Sequence, residues 1–309
     1  MAREVTRLEI EAAANRIGAH IRRTPTIDVG NLMSADFSLT LKLEHLQVTG
    51  SFKPRGAFAL LTTGDIGVGG IAAASGGNFG LAVAHAANRL GYRATIFVPE
   101  TSPQEKIGLI ARYGAEVRVV PGYYDDALAS SRRFVEETGA FEAHAYDQPE
   151  VMAGQGTLGG EIVYQTPTVD AIVVAVGGGG LIGGIASWCQ GDVNVVAVEP
   201  ERCASLHASL QAGRQVDVEV GGIAASSLGA RSIGDHPWLA RKWIDSSVLV
   251  DDDAIAAAQR WLWAELRLVV EPAAAATLAA LRTGAYRPEP RAHVVALLSG
   301  GNVDPSTVT

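Results

Sequence analysis

Only four of the 25 cations in this chain are lysines: Lys42, Lys53, Lys106 and Lys242. A lysine amine can attack a carbonyl or carry one as a Schiff base. At its ordinary pKa near ~10.4 it is protonated at neutral pH, so burial must neutralise it before it can act. Lys53 draws the eye because it lies between Phe52 and Pro54, just after the polar, glycine-bearing turn Gln47-Val48-Thr49-Gly50-Ser51. An isolated lysine is usually a solvated surface residue. Here the residues around it in the sequence argue otherwise.

Three glycine clusters supply them. The apolar run 171–176 leads straight into Gly177-Gly178-Gly179-Gly180-Leu181 and then a helical stretch. Four glycines at a strand-to-helix turn can aim successive N–H groups at one anion such as a phosphate, with the helix N-terminus adding its partial positive charge. A flexible turn would not need four glycines there. The spacing could also be forced into a nicotinamide-binding pattern, with Glu199 after the next strand. Ser75-Gly76-Gly77-Asn78 repeats the strand-turn-helix setting with two polar side chains, which suits a carboxylate or a phenolic oxygen; a plain helix N-cap is the other reading. The last cluster, Ser299-Gly300-Gly301-Asn302, sets a hydroxyl at the end of the buried run 293–298.

The elements that must position these residues follow from periodicity. Residues 4–21 repeat with a helical period, and Leu39 to Leu43 reads as a strand that delivers the chain to Lys53. Apolar runs at 71–74, 94–98, 116–120, 171–176, 193–198 and 293–298 read as buried strands separated by helices. Ser102, Pro103 and Glu105 form a capping box, and Asp251 to Asp253 place acids at the start of a long helix near Ala254. Strand and helix in alternation give an α/β chain with mostly parallel sheets covered on both faces, whose ligands sit at the carboxyl ends of the strands.

The 309 residues allow two domains. Hydrophobic residues at 48% exclude a disordered chain, and a net charge of −8 excludes nucleic acid and anionic membrane as main partners. Glycine, 35 residues or about 11%, exceeds the usual ~7%. Cys189 and Cys203 match no zinc spacing and read as buried thiols in a reducing compartment. The N-terminus has no signal-peptide core, so a cytoplasmic protein is expected.

In their order, Ser51-Phe52-Lys53-Pro54-Arg55-Gly56, Ser75-Gly76-Gly77-Asn78, Gly177 to Gly180 and Ser299-Gly300-Gly301-Asn302 resemble the pyridoxal-phosphate enzymes of the tryptophan-synthase-β fold type. Within them the chain is similar to the threonine and serine dehydratases (ammonia-lyases) and serine racemases. Ala153-Gly154-Gln155-Gly156-Thr157 and Val270-Glu271-Pro272 extend the likeness over nearly the whole length. The resemblance implies a two-domain, three-layer α/β/α fold. Residues 66–147 would form a small domain inserted into a larger one of 1–65 and 148–309, in a homodimer. It implies pyridoxal 5'-phosphate held covalently by Lys53, with Phe52 beside the ring and the phosphate on Gly177, Gly178, Gly179, Gly180 and Leu181. Asn78 would meet the ring hydroxyl and Ser299 the ring nitrogen, while Ser75, Gly76, Gly77 and Asn78 would bind the substrate carboxylate. The implied reaction is dehydration and deamination of a β-hydroxy amino acid, L-threonine or L-serine, to a 2-oxo acid and ammonia.

Departures from the family pattern narrow that expectation. Gly76 replaces the second serine of the serine racemases, which favours the lyase over racemisation. Phe79 and Leu81 make the second cluster more apolar and leave open another β-substituted substrate, such as 3-hydroxyaspartate or phenylserine. A cation site would keep Glu199 but have Ser205 as its second acid, so no metal is expected. The chain stops just after Ser299 to Asn302, which implies neither the regulatory domain of biosynthetic threonine deaminases nor isoleucine feedback through it. A nicotinamide oxidoreductase and a silent binding protein are the remaining alternatives.

Overall fold

Local signals start several of the helices. Thr6 and Glu9 close a capping box on helix α1 (Arg7–Ile17), and Asp251 accepts from the N–H of Ala254 to open a long helix at Asp252. The computed structural model describes every residue except 1, 31, 35, 103 and 309. The capping box expected at Ser102 turns on Pro103 and on the Glu105 side chain, which lie outside the described residues.

Two sheets organise the chain. Strands β1 (Thr26–Gly30) and β2 (Ser38–Lys42) precede helix α2 (Pro54–Leu61). Then come β3 (Ile71–Ala74), α3 (Asn78–Leu90), β4 (Ala94–Pro99), α4 (Gln104–Arg112), β5 (Glu116–Val120), α5 (Tyr124–Thr138) and the two-residue β6 (Phe141–Glu142). Helix α6 (Pro149–Gln165) leads to β7 (Ala171–Ala175), α7 (Gly180–Cys189), β8 (Asn194–Pro200), α8 (Ser205–Ala212), α9 (Ala225–Leu228) and α10 (Asp235–Leu239). Strand β9 (Ser246–Val250), α11 (Asp252–Leu266), α12 (Pro272–Thr283) and β10 (His293–Leu297) complete the order. The larger sheet runs β1-β2-β10-β7-β8-β9 and the smaller β5-β4-β3-β6. All pairings are parallel except β1 with β2.

The strands expected from apolar runs are present, but β5, expected to be buried, is a mostly exposed strand at the edge of the smaller sheet, where one side has no neighbour to cover it. The strands that composition did not announce, β1, β6 and β9, are short, half-buried edge strands without a clean alternation. Helix α3 begins at Asn78, so Asn78 is part of its first turn.

Helices α2, α6 and α7 pack closely enough that side chains are excluded between them. A Cβ at Gly154 would stand 2.3 Å from the Arg55 carbonyl oxygen, and one at Gly184 would stand 2.4 Å from that of Met152 and 2.6 Å from the Gly156 nitrogen. These contacts fix α2, whose first turn follows Lys53, against the larger sheet's helices.

A buried ionic cluster holds α2 from below. Arg55 forks onto Glu44, with Nε to Oε2 and Nη2 to Oε1 both at 2.8 Å, and Nη2 lies 3.0 Å from Glu161. Lys42 donates to Glu161 at 2.5 Å, to the Thr24 carbonyl at 2.7 Å and to Gln165 at 2.7 Å. Lys42, Glu44 and Arg55 are fully enclosed. Burial alone would raise the Glu44 carboxyl; the charge and hydrogen bonds of Arg55 outweigh it and hold the group below the usual carboxylate range. Glu44→Ala would strand a buried guanidinium, and we expect a loss of about 3–5 kcal/mol, read from the midpoint of urea unfolding. A loss under about 1 kcal/mol, typical of surface pairs, would contradict this account.

Candidate active site

The site is assembled where β2 and β10 end side by side. Leu298 donates to the Lys42 carbonyl at 2.9 Å, Phe52 to that of Ser299 at 3.0 Å, and Gly301 to that of Gly50 at 2.9 Å. Ser51 and Gly300 form an antiparallel bridge. This seam sets Phe52 and Lys53 directly on the Ser299 motif. The same strip reaches the opposite way, because Glu271 donates its N–H to the Gly300 carbonyl at 3.0 Å.

Lys53 Nζ donates to the Ala145 carbonyl at 3.0 Å and lies 5.0 Å and 5.7 Å from the ring centroids of Phe52 and Phe79. Burial pushes its amine down to about 8, against the upward pull of Glu271. Two other lysines are committed elsewhere: Lys42 to the buried cluster and Lys242 to Glu4 at 2.6 Å.

Asn78 is fixed from both sides. Its Nδ2 donates to the Glu271 oxygens at 3.0 and 2.9 Å, and its Oδ1 accepts from Asn302 Nδ2 at 2.7 Å. Ser75, Gly76 and Gly77 form the turn between β3 and α3, where the Gly77 N–H donates to Ser75 Oγ at 3.3 Å. Among the described residues no side chain caps α3. Gly177 to Gly180 join β7 to α7, again with no side-chain cap among the described residues, and Gly179 takes φ +90°, a conformation that favours glycine. A Cβ at Gly178 would lie 2.4 Å from the Tyr146 ring. Leu181 is buried behind this turn, in a cluster with Phe52 packed against its edge. Phe52, Ser299 and, through Glu271, Asn78 are therefore joined by the hydrogen bonds of this strip, and Lys53 follows Phe52 in the chain. Gly177 to Leu181 connect to them through Tyr146, the neighbour of the carbonyl that holds Lys53. Ser75, Gly76 and Gly77 join through Asn78.

Sequence reasoning named Glu271 only within a motif and gave it no role. It is buried beside Asn78. Burial raises its carboxyl, against the downward pull of Lys106, Asn78, Ser227 and Lys53. An acid directly before a proline reads as an ordinary helix start, and Glu271 is the residue preceding α12. Ala145 and Tyr146 carried no signal at all, since their part is a backbone carbonyl and a packed ring.

Glu199 has no free oxygen for a ribose. It is buried, and its two oxygens accept from the N–H groups of Leu206 at 2.8 Å and His207 at 2.7 Å, at the start of α8. That corrects the nicotinamide alternative, which needs an accessible acid after the second strand. Burial pushes this carboxyl up to about 7 despite those bonds.

A parallel α/β chain with an enclosed, depressed lysine and an uncapped glycine turn at strand ends defines an enzyme that works through a carbonyl cofactor bearing an anionic group. Residues 17–300 match the pyridoxal-phosphate dependent enzymes, and the chain belongs to that family. Its fold is that of the tryptophan-synthase-β-like members and its cofactor is pyridoxal phosphate. The chain is 36% identical over 307 residues to an L-threonine ammonia-lyase of Geobacter sulfurreducens, covering 97% of this chain and 76% of that one. The structure of maize serine racemase superposes with a TM-score of 0.90 at 31% identity, covering 99% and 96% of the two chains. That of a T.th. threonine deaminase gives 0.89 at 35% identity, covering 97% and 99%.

The residues fit the cofactor on independent grounds. Lys53 offers an amine shifted toward neutrality, α7 offers uncapped N–H groups to an anion, and the Ser51 hydroxyl, buried beside Lys53, has no partner among the described residues. Because burial lowers the Lys53 pKa, its cost to folding is fully present below about 8 and fades as pH rises toward the ordinary 10.5. The neutral amine is the nucleophile. Uptake of pyridoxal phosphate by the cofactor-free protein, followed by absorbance, is expected to speed up about tenfold per pH unit below pH 8 and to level off above it. An inflection near the ordinary lysine value would contradict this.

Proposed function

We propose that the chain is a lyase that eliminates the β-hydroxyl of L-threonine or L-serine as water and releases an enamine, whose hydrolysis takes that water back and yields a 2-oxo acid with net loss of ammonia. The observation that carries this reading is the enclosed Lys53 amine, near neutrality and held against the Ser299 strip. The likeness to the L-threonine ammonia-lyase of Geobacter sulfurreducens over most of both chains supports it.

When bound, pyridoxal phosphate supplies an electron sink for charge that develops at the substrate α-carbon. In our reading the backbone N–H groups from Gly177 to Leu181 bind the phosphate, and the wall of Phe52 flanks the ring. Asn78, clamped by Glu271 and Asn302, faces the ring hydroxyl. Ser299 presents a neutral hydroxyl to the ring nitrogen, so no carboxylate enforces a proton there, which favours prompt loss of the β-hydroxyl. The Ser75 hydroxyl and the N–H groups of the Gly76-Gly77-Asn78 turn hold the substrate carboxylate, the Gly77 N–H turning to it from Ser75 Oγ. Lys53 takes the α-proton as a base, its pKa close to the working pH.

We assign residues 66–147, which contain the smaller sheet, to an inserted domain and residues 1–65 with 148–309 to the larger one. We further propose a cytoplasmic homodimer. Two free, buried thiols at Cys189 and Cys203 support a reducing compartment, and light scattering tests the dimer. Among the described residues no helix is long and apolar enough to cross a membrane.

The test is a panel of β-hydroxy amino acids, including 3-hydroxyaspartate and phenylserine, with detection of 2-oxo acid and ammonia. L-Threonine or L-serine should give the highest kcat/KM, and Lys53→Ala should lower it by at least about a thousandfold, since it removes both base and covalent attachment. Chiral analysis of recovered substrate decides the second reading, a racemase, which the fold of maize serine racemase favours. Ser299→Asp is expected to reduce kcat by over-stabilising charge at the α-carbon; unchanged turnover would contradict the role given to Ser299.

A further inference from the structure

Gly76 lacks a side chain because another residue occupies its place. A Cβ at Gly76 would stand 2.0 Å from Ser102 Oγ and 2.9 Å from Ser102 Cβ, far inside contact distance. Ser102 comes from a different segment, the turn between β4 and α4, and its N–H donates to the Pro99 carbonyl at 2.9 Å. Its hydroxyl is thereby delivered from the end of the neighbouring strand β4 onto the turn Ser75 to Asn78. Next to it lies the uncapped start of α3, a helix of 13 residues, with its first-turn N–H groups open. Ser75 Oγ, the other hydroxyl of the turn, already accepts the Gly77 N–H.

We propose that Ser102 is a substrate-binding residue whose hydroxyl donates a hydrogen bond to the amino-acid carboxylate held at the start of α3. Gly76 and Ser102 then act as one unit: the glycine provides the space and the serine fills it with a donor. This rests on the carboxylate reading of the Ser75–Asn78 turn given above. The hydroxyl binds substrate without taking part in proton transfer, so its removal moves KM and leaves kcat nearly constant.

The experiment uses the holoprotein, L-threonine for kinetics, and L-alanine, which has no β-hydroxyl to lose, for calorimetric binding. Ser102→Ala is expected to weaken L-alanine binding and raise KM about tenfold to a hundredfold, as for a hydrogen bond to a charged group, with kcat within about twofold. Gly76→Ser alone should weaken binding as well, because its Cβ displaces Ser102. Combining Gly76→Ser with Ser102→Gly, which removes both the Oγ and the Cβ that a side chain at Gly76 would strike, should restore affinity to within about threefold of the parent, since one hydroxyl replaces the other. Bound-cofactor absorbance and melting temperature confirm that each variant is folded. If Ser75→Ala weakens L-alanine binding while Ser102→Ala does not, the Ser102 proposal is wrong and the turn still binds the carboxylate. If neither variant weakens it, the carboxylate reading itself fails. A double variant no better than Gly76→Ser alone also overturns the pairing.

Discussion

The backbone seam between residues 50–52 and 299–301 is the contact on which the site depends. Strands β2 and β10 are neighbours in the larger sheet although more than 250 residues separate them in the chain. Because they are parallel, both end at the same edge, and the segments that follow can continue pairing beyond the sheet. The lysine turn and the serine motif are therefore placed by main-chain hydrogen bonds, whose geometry tolerates little drift. Gly300 serves both directions at once, bridging Ser51 on one side and accepting from Glu271 on the other. A Cβ on it would stand 2.6 Å from Glu271 Oε2 and 3.3 Å from Ser51 Cβ, so only glycine lets the strip pass between them.

Holding an amine near neutrality demands that its surroundings be dry, and dryness is costly for every polar group nearby. The chain meets this by separating its charges into two zones. Beneath α2, Lys42, Glu44, Arg55 and Glu161 satisfy one another with short, forked bonds, so their charges are retained. Above it, Lys53 is enclosed with one carbonyl acceptor among the described residues, which with two aromatic rings does not repay the desolvation of a charge, so burial favours the neutral amine. Two cations two residues apart in sequence thus have opposite fates. Burial is first among the causes for both, and the partners decide the outcome: Arg55 is raised and Lys53 lowered.

What the sequence made legible were features that one segment carries alone. The buried strands β3, β4, β7, β8 and β10 appear as apolar runs because both faces of each are covered. The glycine turns and Lys53 appear because residue type and local order suffice. Edge strands β1 and β9 stayed hidden because Thr26 and Asp28 in one and Ser246 and Ser247 in the other break the apolar run, whereas the edge strand β5 carries three valines. Glu44 and Glu161 look like surface acids until the fold brings Arg55 and Lys42 to them. Glu271 is disguised as the residue before a helix proline, and the meeting of Ser102 with Gly76 spans segments that no local pattern connects. The capping box would have located α4, but its decisive residues lie outside those described.

Glycine enrichment in this chain has two physical causes that composition cannot separate, and at one place they merge. Gly154, Gly156 and Gly184 admit backbone against backbone where helices cross, and no ligand is involved. Gly178 and Gly180 belong to the turn we propose for the phosphate, yet a Cβ on either would strike Tyr146, at 2.4 Å and 2.9 Å. The cradle glycines therefore also provide the seat for the segment whose Ala145 carbonyl holds the Lys53 amine. A side chain at Gly178 would push Tyr146 outward and carry Ala145 with it, loosening the contact that positions Lys53. The glycine turn proposed for the phosphate and the lysine are thereby mechanically linked through two consecutive residues, and the glycines are required at that turn even apart from any anion.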